Sequence, residues 1–290
     1  MATEIPYTVA GFTSPGNFTS ETSTQTEYDY ENDTSVDLKT YFEVLFMSVC
    51  GTVGAVGNGT LILIVLLNSD MRNVPNTLIA SLAMGDFVFL VANVPITIAS
   101  YFHTEYPYSE FVCKLSNAIP ILSEGVSVLT LGALSFDRYN AIVRPMHRRR
   151  NNAVRQTYLL AFSIWVLAAL IAIPGFLIAD RRPFSEDFPT IVCFPLPHGT
   201  TVAIVHEISR CLLLYVFPLA VITLFYTLIA LKLLASSRDM PGESRGDATK
   251  QVKARRRLAR SVIVLVALFA VCWLPHFIYQ LPVSVQVRRR

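Results

Sequence analysis

The chain is predicted to be an all-α membrane protein, a bundle of transmembrane helices. Three observations predict it. Of the 290 residues, 52% are hydrophobic. The apolar residues gather into six runs that each reach or exceed the roughly 20 residues needed to cross a bilayer as a helix. Lys and Arg collect in alternate loops, as a multi-pass topology requires.

Taken in order, Val44–Leu67 carries no charge, Thr77–Phe102 only Asp86, and Leu115–Phe136 only Glu124. Thr157–Ala179, Cys211–Leu231 and Ser261–Val287 are uncharged. These runs predict spans near residues 42–68, 75–102, 113–144, 155–179, 205–234 and 255–282, within a bundle that occupies 41–287. Buried core helices of a soluble protein do not recur at such lengths. Residues 1–40 differ, with seven acids against Lys39 and many Thr and Ser. They are expected to form a disordered acidic tail, with no basic stretch and apolar core to mark a signal peptide. Asn17 and Asn32 open acceptor sequons in this tail and are expected to be glycosylated if it lies outside.

Loop charges set the orientation. The loop after the third run holds Arg144, His147, Arg148, Arg149, Arg150 and Arg155 with no acid. The segment from Lys232 to Arg260, including Lys253 and Arg255–Arg257, holds nine Lys/Arg against three acids. Both are expected to be cytoplasmic, which puts the tail of a multi-pass membrane protein outside. Cys113 and Cys193 then share the oxidising side, which favours a disulfide pinning a loop over the mouth of the bundle above two free thiols. Cys50, Cys211 and Cys272 fall within spans as small apolar groups. Six spans return the chain to the outside, so Arg288–Arg290 would stand on the wrong face. Either a seventh span is missing or the last run does not fully insert.

Polar groups inside a span mark function by default. Asp86 lies mid-span near the depth of Asn58 and Ser127, a set of oxygen ligands suited to a small cation or a proton. The alternative is a buried, protonated Asp with a structural role. Glu124 and Arg210 lie in the outer halves of the third and fifth spans, with His206 and Glu207 beside Arg210. His276 and Gln280 share a face of the sixth. Together they outline a pocket open to the outside, unless His206 and Glu207 face the headgroups. Pro95, Pro174, Pro218 and Pro275 each interrupt a helical ladder and permit kinks, with Pro275 next to the ring of Trp273.

This constellation resembles the rhodopsin-like G-protein-coupled receptors over roughly Phe42–Leu281. The residues that carry the resemblance are Gly57-Asn58, Leu82-Ala83-Met84-Gly85-Asp86, Cys113 at the head of the third span and Asp137-Arg138-Tyr139 at its foot. Trp165, Pro218 with Tyr226, and Cys272-Trp273-Leu274-Pro275 complete it. The stretch Gly125–Met146 is similar to the bombesin-receptor group, which includes the insect CCHamide neuropeptide receptors. The resemblance implies the seven-helix receptor architecture with six helices present, an extracellular peptide ligand and a heterotrimeric G protein as partner. Nucleic acid is not an expected partner. It implies an activation switch of Asp137, Arg138, Tyr139, Tyr226, Phe269, Trp273 and Pro275, with Arg138 held by Asp137 at rest. It also implies a sodium ion at Asp86 with Asn58 and Ser127, as the single exception to an absence of cofactors and metals. Pocket candidates are Pro120, Glu124, Glu207, Arg210, His276, Phe277 and Gln280. Pro120 occupies the position where amine receptors carry an Asp, which favours a peptide over an amine.

The chain departs from the pattern at its end. No Asn-Pro-x-x-Tyr segment is present, and 283–290 make an atypical C-terminal end, as expected of a splice variant or fragment. A non-signalling chain that modulates a full-length receptor is the alternative function. The basic runs are expected to touch the G protein or anionic lipid, or to serve only as topology determinants. A channel or transporter would call for a polar stripe or an internal repeat, and neither is visible. No Ser-His-Asp grouping, metal-spaced cluster or phosphate loop suggests an enzyme.

Overall fold

In a computed structural model, the described residues are 38–143, 153–183, 190–194, 200–238, 263–264 and 266–278. Among the described residues, five helices are long and apolar enough to cross a membrane: α1 (Leu38–Leu67), α2 (Val74–Ser100), α3 (Glu110–Val143), α4 (Ala153–Ile178) and α5 (Thr201–Lys232). A shorter apolar helix, α6, covers Val266–Ile278. Asn17, Asn32, Gln280, the arginines at 144, 148–150, 255–257 and 288–290, His147 and Lys253 lie outside the described residues.

Helix α1 begins at Leu38, inside the segment expected to be disordered tail. A Lys39–Glu43 pair at 3.8 Å, one turn apart, supports the added turn. Its far end is closed by side chains. The Asn68 amide donates to the Ile64 carbonyl at 2.8 Å, and the Arg72 guanidinium donates to the Val65 and Leu66 carbonyls. These bonds satisfy carbonyls a helix end leaves open. At the start of α2, the Asn73 side chain accepts from the Asn76 N–H at 3.0 Å, and Pro75 stands where no intrahelical N–H is needed. Thr200 caps α5 likewise, accepting from Ala203.

Two helices carry a single π-helical stretch each, Phe89–Asn93 in α2 and Leu212–Val216 in α5. Both lie just before a proline. Pro95 and Pro218 would clash with the carbonyls of Val91 and Leu214 in a regular α-helix, and both carbonyls fall inside the widened turns. The kinks expected at these prolines thus take the form of π bulges.

Helix α3 is the axis of the bundle and packs against α2, α4 and α5. Half of its most apolar stretch, 50%, is buried, against 17% for α1, whose outer face is left to lipid. Close approach of α3 and α4 depends on Gly125. A methyl there would stand 3.0 Å from the Ala168 Cβ and 3.4 Å from its Cα. The core joins Ile121, Val128 and Leu131 of α3 to Ala172, Leu214, Ile222 and Phe269. One cross-helix bond stitches α4 to α2, from the Trp165 indole N–H to the Ser81 hydroxyl at 3.1 Å.

Beyond α4 the chain forms a small antiparallel hairpin, β1 (Asp180–Pro183) paired with β2 (Ile191–Phe194). Cys193 of β2 is disulfide-bonded to Cys113 at the head of α3. The Tyr106 N–H donates to the Ile191 carbonyl at 2.8 Å, tying the preceding loop to the same hairpin. Burial here pushes the Tyr106 phenol up from its usual range. The hairpin therefore sits across one end of α3, as the expectation of a pinned loop required.

Candidate functional site

Next to this end, α3 and α5 face each other across a buried ion cluster. Glu124 is 2% exposed and Glu207 3%. The Arg210 guanidinium donates from Nε to Glu124 Oε2 at 3.0 Å, with Nη2 at 2.9 Å from the same oxygen. Arg210 Nη1 stands 3.9 Å from Glu207 Oε1, one turn earlier on α5. The His206 Nδ1 lies 3.6 Å from Glu207 Oε1, beyond hydrogen-bond reach. Both Glu207 and His206 are turned into the protein, so the headgroup-facing arrangement does not hold for this pair.

Aromatic rings of α6 lie over the cluster. The Arg210 guanidinium carbon is 5.8 Å from the ring centroids of both Trp273 and Phe277, within cation–π range. Trp273 meets His276 edge-on at 5.4 Å and stacks obliquely on Phe269 at 6.0 Å. Phe277 packs on Tyr215 at 5.1 Å. The Tyr215 hydroxyl donates to the Ala270 carbonyl at 3.0 Å, joining the π turn of α5 to the backbone of α6. Tyr215 was not singled out from sequence; a phenol inside an apolar span is the signal that would have marked it.

A cavity of about 360 Å³ runs between α2, α3 and α6, lined by Pro120, Glu124, Asp86, Ser127, Phe269 and Trp273 among others. Of the expected pocket residues, Pro120 and Glu124 line it. Glu207 and Arg210 connect to it through Glu124, and His276 and Phe277 through Trp273. At its inner end the Ser127 hydroxyl donates to Asp86 Oδ1 at 3.1 Å. Asn58 does not join them, because its amide donates to the Gly54 carbonyl on its own helix at 2.9 Å. Among the described residues, no three His, Cys, Asp or Glu side chains form a metal cluster.

The foot of α3 presents Asp137-Arg138-Tyr139. Arg138 is buried, with Nε 4.0 Å from Asp137 Oδ2. The buried Tyr226 hydroxyl of α5 faces Ser135 and Arg138 but makes no hydrogen bond among the described residues. Tyr139 packs on Phe225, with ring centroids 5.5 Å apart. Pro275 stands in α6 two residues past Trp273.

Six apolar segments, a disulfide from α3 to a β-hairpin, an Asp-Arg-Tyr foot and a Trp-x-Pro sixth helix define a class of membrane receptor. Residues 57–288 match the seven-transmembrane receptor (rhodopsin family) model, and the chain belongs to that family. The neuropeptide CCHamide-1 receptor of Drosophila melanogaster is 40% identical over 249 residues, covering 83% of this chain and 50% of that protein. Bombesin receptor subtype-3 of Ovis aries is 37% identical over 234 residues, covering 79% of this chain and 58% of that protein. The chain thus spans between half and three fifths of the length of these relatives. Membership makes it a multi-pass membrane protein and not an enzyme.

Proposed function

We propose that the chain acts as a plasma-membrane receptor for an extracellular neuropeptide, with its N-terminal tail outside. Binding would be relayed to a heterotrimeric G protein by movement of the inner half of α6. The observation that carries this reading is a continuous packed path. It runs from Glu124 at the cavity through Arg210 to Trp273 and Phe269, and into the core shared with Tyr226 beside Arg138. A ligand that prefers one packing of α6 shifts the population toward it, and only by its differential affinity. Release of Arg138 from Asp137 toward Tyr226 is the step such a shift would permit. Two relatives, a neuropeptide receptor and a bombesin receptor, support a peptide ligand. The Asp86–Ser127 pair fits a sodium ion held by oxygen ligands in the resting packing, with further ligands from water.

The test expresses residues 1–290 with an epitope on the outer tail and screens a neuropeptide panel by calcium and cyclic-nucleotide response. Surface labelling with a response that Arg138→Ala abolishes is the expected result. Surface labelling with silence across the panel overturns signalling and leaves a modulator of full-length receptors as the reading.

A further inference from the structure

The cavity beside α3 carries two carboxylates, Asp86 and Glu124, and no Lys or Arg among its lining residues. Glu124 is 2% exposed, and its Oε2 is taken by Arg210 from behind. Its Oε1 has no hydrogen-bond partner among the described residues. The same holds for Glu207 Oε2 on the far side of Arg210. One guanidinium therefore stands between two buried carboxylates. A buried carboxylate oxygen without a donor is costly, and a cationic donor arriving in the cavity would satisfy it.

We propose that this cavity is a subsite for the positively charged side chain or terminus of the peptide, with Glu124 as the residue that selects it. The proposal deepens the receptor reading and rests on it. Aromatic walls from Trp273, Phe269 and Phe89 suit a guanidinium or ammonium, which a ring face attracts. Size excludes a bare ion as the sole occupant. A cavity of about 360 Å³ has room for on the order of ten waters at roughly 30 Å³ each, enough for an arginine or lysine head with part of its stem. Glu207 acts through Arg210, and its role is to keep that guanidinium shared so that Glu124 Oε1 stays available.

Purified residues 1–290 in lipid nanodiscs would be titrated with two dipeptides, acetyl-Trp-Arg-amide and its neutral isostere acetyl-Trp-citrulline-amide, with thermal unfolding as the readout. The Arg dipeptide should raise the unfolding midpoint at a concentration at least tenfold below that needed by the citrulline form. Glu124→Gln should bring the ratio to about one while keeping an acceptor for Arg210. Replacing sodium by potassium in the buffer separates the two cations: a preference that survives without sodium belongs to the organic cation. Equal effects of the two dipeptides, or none from either, overturn the subsite even on the unmutated chain, so a misfolded variant cannot rescue it. A response to neutral peptides alone in the panel assay would sink the subsite while leaving the receptor reading intact.

Discussion

Arg210 and its two carboxylates illustrate how membrane burial raises the stakes of a single charge. The side chains of Arg210 and Glu124 are 11% and 0% exposed, so solvent screening is slight. Removing one partner of such a pair leaves an uncompensated charge, which costs about 3–5 kcal/mol, whereas removing both can be nearly neutral. Arg210→Met should therefore lower the unfolding midpoint of purified protein sharply, and Arg210→Met with Glu124→Gln should recover part of the loss. A double variant as unstable as the single one would mean the pair is not the source of the cost. A second test at this scale concerns Cys113 and Cys193, which close a loop of 80 residues. Loop-closure entropy at that length stabilises by about 4 kcal/mol, on the chain-entropy account. Dithiothreitol, or Cys193→Ser, should lower the midpoint by several degrees, and an unchanged midpoint would refute it. Legibility at this scale was uneven. Asp86, Glu124 and Arg210 announced themselves because a charge inside a predicted span is costly and marks function by default. Their partners did not, since the Arg210–Glu124 and Trp165–Ser81 bonds join residues 86 and 84 positions apart, and no local period encodes such pairs. Asn58 was grouped with Asp86 by depth and by the family resemblance, and neither says that its amide will turn to its own backbone.

Helices are where sequence reading was strongest and also where it missed a finer feature. Charge-free runs located the spans because lipid forbids unsatisfied backbone and charged side chains alike. The ends moved by a few residues, as at Leu38, because polar pairs and caps, not hydropathy, decide where a helix stops. The π turns before Pro95 and Pro218 were legible only as kinks, since hydropathy is blind to how a clash is absorbed. The hairpin of β1 and β2 was not foreseen, as Asp-Arg-Arg-Pro has no alternating apolar pattern and owes its pairing to the Cys193 anchor. Two helix contacts give contrasting predictions. Gly125→Leu should pry α3 from α4, because the Ala168 backbone cannot yield, and should reduce the folded, surface-expressed fraction several-fold by flow cytometry. Trp165→Phe removes one cross-helix hydrogen bond and keeps most of the ring packing. Such bonds average about 0.6 kcal/mol in membranes, so its surface expression should stay near that of the parent chain. Equal losses in the two variants would show that the close α3–α4 approach is not what organises the bundle.

For the molecule as a whole, the decisive matter is which side each end of the bundle faces. The charge rule puts the tail and the hairpin outside and the Lys232–Arg260 segment inside. The disulfide independently requires Cys113 and Cys193 to share an oxidising compartment, and the charge rule assigns both to that same side. Two arguments with different physics thus agree on orientation: one rests on the cost of moving Lys and Arg across a membrane, the other on redox chemistry. Cysteine labelling on intact cells can test them together. The free thiols Cys50 and Cys211 lie on helices long enough to cross the membrane, and Cys272 lies on the shorter apolar helix α6, so the parent chain, labelled alongside, should give little background with a water-borne maleimide. Arg181→Cys, on the exposed strand β1, should label with an impermeant maleimide from outside. Lys232→Cys, at the other end of α5 from its Thr200 cap, should label only after the membrane is permeabilised. Labelling of Lys232→Cys on intact cells would invert the bundle, put Glu124 and its cavity toward the cytoplasm, and remove the basis for an extracellular ligand.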